Sequence, residues 1–125
     1  MSNTNSKMVT RANYQSRILK VLDYIWINLD KNLDNNRLAE VAHFSPYHFH
    51  RIYREMMQET VANSIRRLRL HRAAYLLLSS NQSVADIAKS CGYGSAEAFI
   101  RAFERHHGTS PGQFRTVKTS AHYDS

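Results

Sequence analysis

The chain has 125 residues, 42% of them hydrophobic, with 17 Lys and Arg against 10 Asp and Glu and a formal net charge of +7. That length holds one small domain or two very small ones sharing an element, since half-chains of about 50 residues bury only ~60% of their unfolded surface and need support. The basic excess points to a polyanionic partner, the single cysteine, Cys91, excludes an internal disulfide framework, and no run approaches the ~18 apolar residues of a membrane span.

Residues 1–12 are polar, lack the apolar stretch of a secretory signal, and are expected to form a disordered lead. A cytoplasmic location follows as the default. Ile18, Val21, Leu22, Ile25, Trp26 and Leu29 then form one apolar stripe at helical spacing. Asp34 is a candidate N-cap for a short helix carrying Leu38, Ala39 and Ala42. Ser45-Pro46 opens the next helix, serine capping free N–H groups and proline suiting the first turn; it is expected to run to about Gln58. Thr60 caps a longer helix through Leu78, with Ile65, Leu68, Ala73, Leu76 and Leu77 inward. After a polar break, Ser83 caps a short helix to about Cys91, Gly92-Tyr93-Gly94 turns the chain, and Ser95 caps a helix ending at Gly108. Ser110-Pro111 opens a last short helix, and 119–125 reads as a flexible tail. Strand-like alternation is absent. The expected fold is all-α with about seven helices: helix-turn-helix subdomains over 13–59 and 80–118, joined by a linker helix over 60–79.

The chain contains a repeat. Leu38-Ala39 aligns with Ile87-Ala88 and Phe44 with Tyr93; one extra residue, Gly94, then shifts the register. Beyond it Ser45 aligns with Ser95, Phe49 with Phe99, Arg51 with Arg101 and Tyr53 with Phe103. A short helix, a tight turn and a second helix recur, which is the layout of a DNA-reading helix-turn-helix. At about 100° per residue, Phe49, Ile52, Tyr53 and Met56 share one side of the first such second helix, and Tyr47, His50, Arg51 and Arg54 the other. In the second unit Ala96, Phe99, Ala102, Phe103 and His106 are expected inward, and Glu97, Ile100, Arg101 and Glu104 outward. A polar face on an amphipathic helix is ordinarily just a solvated surface; its recurrence in a basic, duplicated chain favours nucleic acid.

Residues 18–117 resemble the DNA-binding domain of the AraC/XylS family of bacterial transcription regulators. The resemblance is carried by Asp86-Ile87-Ala88, Cys91-Gly92-Tyr93, Ser95, Phe99-Ile100-Arg101-Ala102-Phe103, Gly108 and Ser110-Pro111-Gly112-Gln113-Phe114-Arg115. In the first half, residues 44–51 look like the branch in which this domain precedes a GyrI-like effector domain, which has no counterpart in these 125 residues. Three positions depart from expectation: Asn35 where the repeat calls for an apolar residue like Val84, Gln58 where relatives carry a turn glycine, and Ser64 where they carry an aromatic.

The resemblance implies a homeodomain-like pair of units that inserts the helices from Pro46 and Ala96 into adjacent major grooves, about one turn or ~34 Å apart. It implies double-stranded DNA as partner, binding as a monomer, and action on RNA polymerase as regulator or activator. Candidate base-contacting residues are Tyr47, His50, Arg51, Ala96, Glu97, Ile100 and Arg101. The arginine fork matches guanine O6 and N7, and Ile100 suits a thymine methyl; Glu97 is equally placed to accept from cytosine or to orient Arg101. Candidate phosphate contacts are Ser45, Arg54, Arg66, Arg105, Ser110 and Arg115, with Arg67, Arg69 and Arg72 less certain and Arg69 as much structural as functional. A protein-interaction module with weak DNA affinity is the competing reading, and steep salt dependence would separate the two. No His or Cys pair has helical metal-ligand spacing, and Cys91 lacks an activating base, so no metal, cofactor or enzymatic activity is expected.

Overall fold

Seven helices and no strand are found among the described residues: α1 (Ser2–Ile27), α2 (Asn35–Val41), α3 (Pro46–Met57), α4 (Val61–Ser79), α5 (Val84–Ser90), α6 (Ala96–His107) and α7 (Pro111–Asp124). The computed structural model describes the backbone of residues 2–124 and the side chains of residues 7–117. The helix starts are set by local chemistry. Asp34 accepts from the Asn36 N–H at 3.2 Å, Ser45 from His48 at 3.3 Å, Thr60 from Asn63 at 3.2 Å, and Ser83, Ser95 and Ser110 from Asp86, Ala98 and Gln113 at 3.1 Å each. Each such cap satisfies an N–H that the helix itself leaves over, a contribution of ~1 kcal/mol.

The lead expected over residues 1–12 is instead the first part of α1, which begins at Ser2. Residues 2–27 contain neither glycine nor proline, so nothing in the backbone stops the helix built on the Ile18 stripe from running back through polar residues. At the other end α7 continues to Asp124, past the boundary expected at 118. The expectations for Met1 and Ser125 lie outside the described residues.

Two units divide the chain. The first comprises the residues up to Asn28 together with Asn32–Ile65. Its buried side chains are Ile18, Val21 and Ile25 of α1, Leu38 and Ala39 of α2, Ala42, then Phe49, Ile52 and Tyr53 of α3, with Val61. Trp26, expected on the inward stripe, is 42% exposed; the buried stripe is narrower and follows positions 18, 21 and 25. Ser64 is fully buried, and its hydroxyl donates to the Glu59 carboxylate. The polar residue at an expected aromatic position therefore has its hydrogen bond.

The second unit comprises Leu29–Lys31 and the residues from Arg66 on. Leu70, Ala73 and Leu77 of α4 pack with Ile87, Ala88, Cys91, Phe99 and Phe103. The linker helix is thus no separate layer: its last three-quarters builds this core, and its first turn belongs to the other unit. Leu70, absent from the expected inward set, is 1% exposed, whereas Leu68 and Leu76 are only half-buried. His106, expected inward, is exposed. Its neighbour His107, spaced i+4 and i+8 from Phe103 and Phe99, takes the inner place, 4.3 Å from the Phe103 ring and 5.6 Å from Phe114.

Two arginines pin this unit. Arg69 donates through Nε to the Leu29 carbonyl at 3.1 Å and through Nη2 to the Lys31 carbonyl at 2.9 Å. Arg115 donates to the Leu77 carbonyl at 2.9 Å and the Ser80 carbonyl at 3.2 Å, closing the C-terminal end of α4. Helix C-termini leave such carbonyls over, and a cation is favoured there.

Candidate nucleic-acid interface

The turns of the two units are built alike, bond for bond. In the first, Ala42 donates to Leu38, His43 to Glu40 and Phe44 to Ala39; in the second, Cys91 donates to Ile87, Gly92 to Lys89 and Tyr93 to Ala88. Each turn passes through the left-handed backbone region, at His43 (φ 58°) and Gly92 (φ 85°). The helices that follow are each 12 residues long, and each ends on a left-handed cap, Gln58 (φ 59°) for α3 and Gly108 (φ 76°) for α6. The glycine expected at position 58 is replaced by a residue whose side-chain amide donates to the Glu55 carbonyl at 2.9 Å.

Buried aromatics hold both helices by one side. Phe49 and Tyr53 on α3 and Phe99 and Phe103 on α6 are 0% exposed, with ring centroids 5.7 Å apart in both pairs. The opposite side of α3 carries Tyr47, His50, Arg51 and Arg54 at i, i+3, i+4 and i+7, all exposed, Tyr47 by 80%. On α6 Glu97, Arg101 and Glu104 are exposed, while Ala96 and Ile100 are half-buried and Ile100 packs against the second core. Among the described residues no ion pair joins Glu97 to Arg101, which leaves the carboxylate available to an outside donor.

The residues expected at phosphates fall into two groups. Arg54 and Arg105 are exposed in the last turns of α3 and α6, and Arg66 is exposed on α4. Ser45 and Ser110 accept helix N–H groups through Oγ, which leaves each hydroxyl hydrogen to donate outward. Arg115 commits Nε and Nη2 to the two carbonyls at the end of α4, which clamps that end. Arg69 is engaged in the same way, by the Leu29 and Lys31 carbonyls.

Two contributors were not anticipated. Arg17 of α1 donates to the His43 carbonyl at 3.3 Å and lies 4.6 Å over the Phe44 ring. Tyr14 packs edge-on against Phe44 at 5.1 Å and His48 at 5.9 Å. Together they tie α1 to the first turn and to the start of α3. Their spacing of three residues on one helix face was the available signal. Cys91, the counterpart of buried Ala42, is 0% exposed, and burial pushes its thiol up to about 11 against the pull of Arg72 and Arg69. It stays protonated at neutral pH and fills the small core position that the repeat calls for.

A family model described as a helix-turn-helix domain matches residues 38–116. The uncharacterized HTH-type transcriptional regulator YbfP of Bacillus subtilis is 35% identical over 103 residues, covering 82% of this chain and 35% of that protein. The bifunctional transcriptional activator/DNA repair enzyme AdaA of the same organism is 34% identical over 97 residues, covering 78% of this chain and 46% of that protein. The chain thus spans between a third and a half of the length of these relatives. Among solved structures, the DNA-binding domain of the global transcriptional factor AdpA, in complex with a target DNA, superposes with a TM-score of 0.79 at 26% identity, covering 86% of this chain and 96% of that one.

Proposed function

The chain belongs to the AraC-type helix-turn-helix family of DNA-binding transcription regulators, and from that premise we propose that it reads a bipartite site on double-stranded DNA with α3 and α6. The observation that carries this is the duplicated setting of one arginine: Arg51 and Arg101 occupy the same place on two helices with the same serine cap, a buried aromatic pair at the same two positions and the same left-handed ending. Arg51 and Arg101 take guanine, by the fit of the guanidinium fork to O6 and N7. Tyr47 and His50 extend the reading of the first unit. Glu97 accepts from cytosine, and the half-buried Ala96 and Ile100 allow close apolar approach to a thymine methyl. Ser45, Arg54, Arg66, Arg105 and Ser110 hold phosphates, which position the helices without reading sequence.

In this proposal the chain binds DNA as a monomer, one polypeptide supplying both reading helices, and acts in the cytoplasm on transcription by RNA polymerase. Selection from random double-stranded DNA at near-physiological salt tests it, with two short enriched motifs as the expected result. Arg51→Ala is expected to cost about 1–3 kcal/mol and relax one motif, and Arg101→Ala to do so in the other. Arg54→Ala should weaken all sequences alike and lower the salt slope by about 0.9. Unchanged sequence preference in Arg51→Ala would remove α3 as a reading helix. Binding to partner protein in place of DNA would show as weak salt dependence.

A further inference from the structure

The first unit carries an open groove of about 980 Å³ between α1 and α3. Ile18, Leu19 and Leu22 of α1 and Ile52, Met56 and Met57 of α3 supply its apolar lining. Leu19 is 60% exposed there. Lys7 and Arg11, one turn apart, stand on the α1 lip, and Glu55 stands on the α3 lip. On α3 the groove residues Ile52 and Met56 point roughly opposite to Arg51 and Arg54, at 100° per residue. Glu55 and Met57, which also line the groove, stand one turn from Arg51 and Arg54, so an occupant would lie along the flank of the recognition helix.

We propose that this groove is a docking site for an acidic amphipathic helix of a partner protein. From position 7 to position 22 the α1 wall rises about 22 Å, four helical turns, which matches a helix laid lengthwise. An apolar floor flanked by flexible methionines takes a helix by its apolar stripe and tolerates imperfect shape. The charge of the lips sets the chemistry of the flank: cations on α1 and a carboxylate on α3 favour a helix whose acidic side faces α1. A second copy of this chain is a poor occupant, because it brings the same net charge of +7 and the same Lys7 and Arg11. The site stands whether or not the DNA reading holds, since none of its lining residues is assigned a base or phosphate contact.

The test uses the full chain and two labelled helical peptides of about 18 residues, one with leucines at i, i+3, i+4 and i+7 spacing and glutamates beside them, the other with every Glu changed to Lys. Saturable binding of the acidic peptide is expected, with the lysine twin weaker by about tenfold. The double variant Lys7→Glu/Arg11→Glu should reverse that order, and both positions are exposed, so folding is spared. Leu19→Glu should weaken the acidic peptide by about tenfold or more, while DNA binding is kept. Amide NMR shifts should move at Leu19, Leu22 and Met56. The proposal is overturned if the acidic peptide fails to saturate, if Leu19→Glu leaves its binding unchanged, or if the shifts fall on Tyr47, Arg51 and Arg54. It is likewise overturned if sedimentation shows a dimer of the chain that Leu19→Glu abolishes, for then the groove belongs to a second copy.

Discussion

Replacing Gly92 by alanine is a severe test of how the second unit is assembled. A Cβ there would lie 2.2 Å from the Leu29 carbonyl oxygen and 2.9 Å from Cζ and Nε of Arg69. Relief requires the backbone oxygen to retreat by roughly 0.8 Å, and that oxygen is already held by the Arg69 Nε–H at 3.1 Å. The φ of +85° costs an L-residue about 1–2 kcal/mol, and overpacking adds about 1–3 kcal/mol. The stiffer unfolded chain returns about 0.4–1 kcal/mol, so the net loss is about 1–4.5 kcal/mol. A unit of about 60 residues has ~3–9 kcal/mol of stability in all, and Gly92→Ala therefore removes a large part of it. Urea unfolding followed by circular dichroism, with amide exchange at Ile87 and Phe99, measures the loss. Gly108→Ala is the internal control: its φ is +76° but open space surrounds the added Cβ, so only about 1 kcal/mol is expected. If Gly92→Ala stays within about 0.5 kcal/mol of the parent, or Gly108→Ala costs as much, the close approach to Leu29 does not hold the unit together.

Three further outcomes follow from the same geometry. Burial lowers the His107 imidazole below its ordinary 6.5, more than the Leu70 carbonyl raises it, with His106 and His71 adding to the lowering. The unfolded chain then takes up a proton first, so stability present above pH 6.5 falls as pH drops through the folded value; His107→Gln should flatten that fall in urea titrations between pH 7 and 5. Arg115→Met should destabilise by about 1.5–3 kcal/mol through two lost charged hydrogen bonds and leave the salt slope of DNA binding unchanged; a drop of about 0.9 in that slope would return Arg115 to the phosphates. Arg17→Ala should speed amide exchange at Phe44 and His48 and cost about 1 kcal/mol, again without changing the salt slope.

The helix starts were legible because capping is local: Asp34, Ser45, Thr60, Ser83, Ser95 and Ser110 each act on an N–H two or three residues away. The repeat was legible because the same small and aromatic residues must fill the same turn twice. What stayed hidden depended on partners distant in sequence. Arg115 reads as one more cation until the Leu77 and Ser80 carbonyls, 38 and 35 positions away, are placed beside it. His107 shares the i+4 and i+8 spacing of Phe103 and Phe99, and its further contact with Phe114 of α7, at 5.6 Å, depends on the fold. Leu70 escaped because α4 serves both units, so no single apolar stripe runs its length. The lead residues escaped because a polar composition separates a solvated helix poorly from a disordered segment.

The equal length of α3 and α6 has a practical consequence. Both run 12 residues from a serine cap to a left-handed ending, and the register difference between the repeats, the added Gly94, falls wholly before the cap. The two segments therefore present equivalent exposed positions in one register. Three exposed positions of one, at 47, 51 and 54, can be written onto 97, 101 and 104 of the other without touching the buried aromatics that seat each helix, whereas Ile100 packs against the second core and stays. In the proposed reading, such an exchange would carry the preference of one half-site to the other, within the segments that follow Ser45 and Ser95.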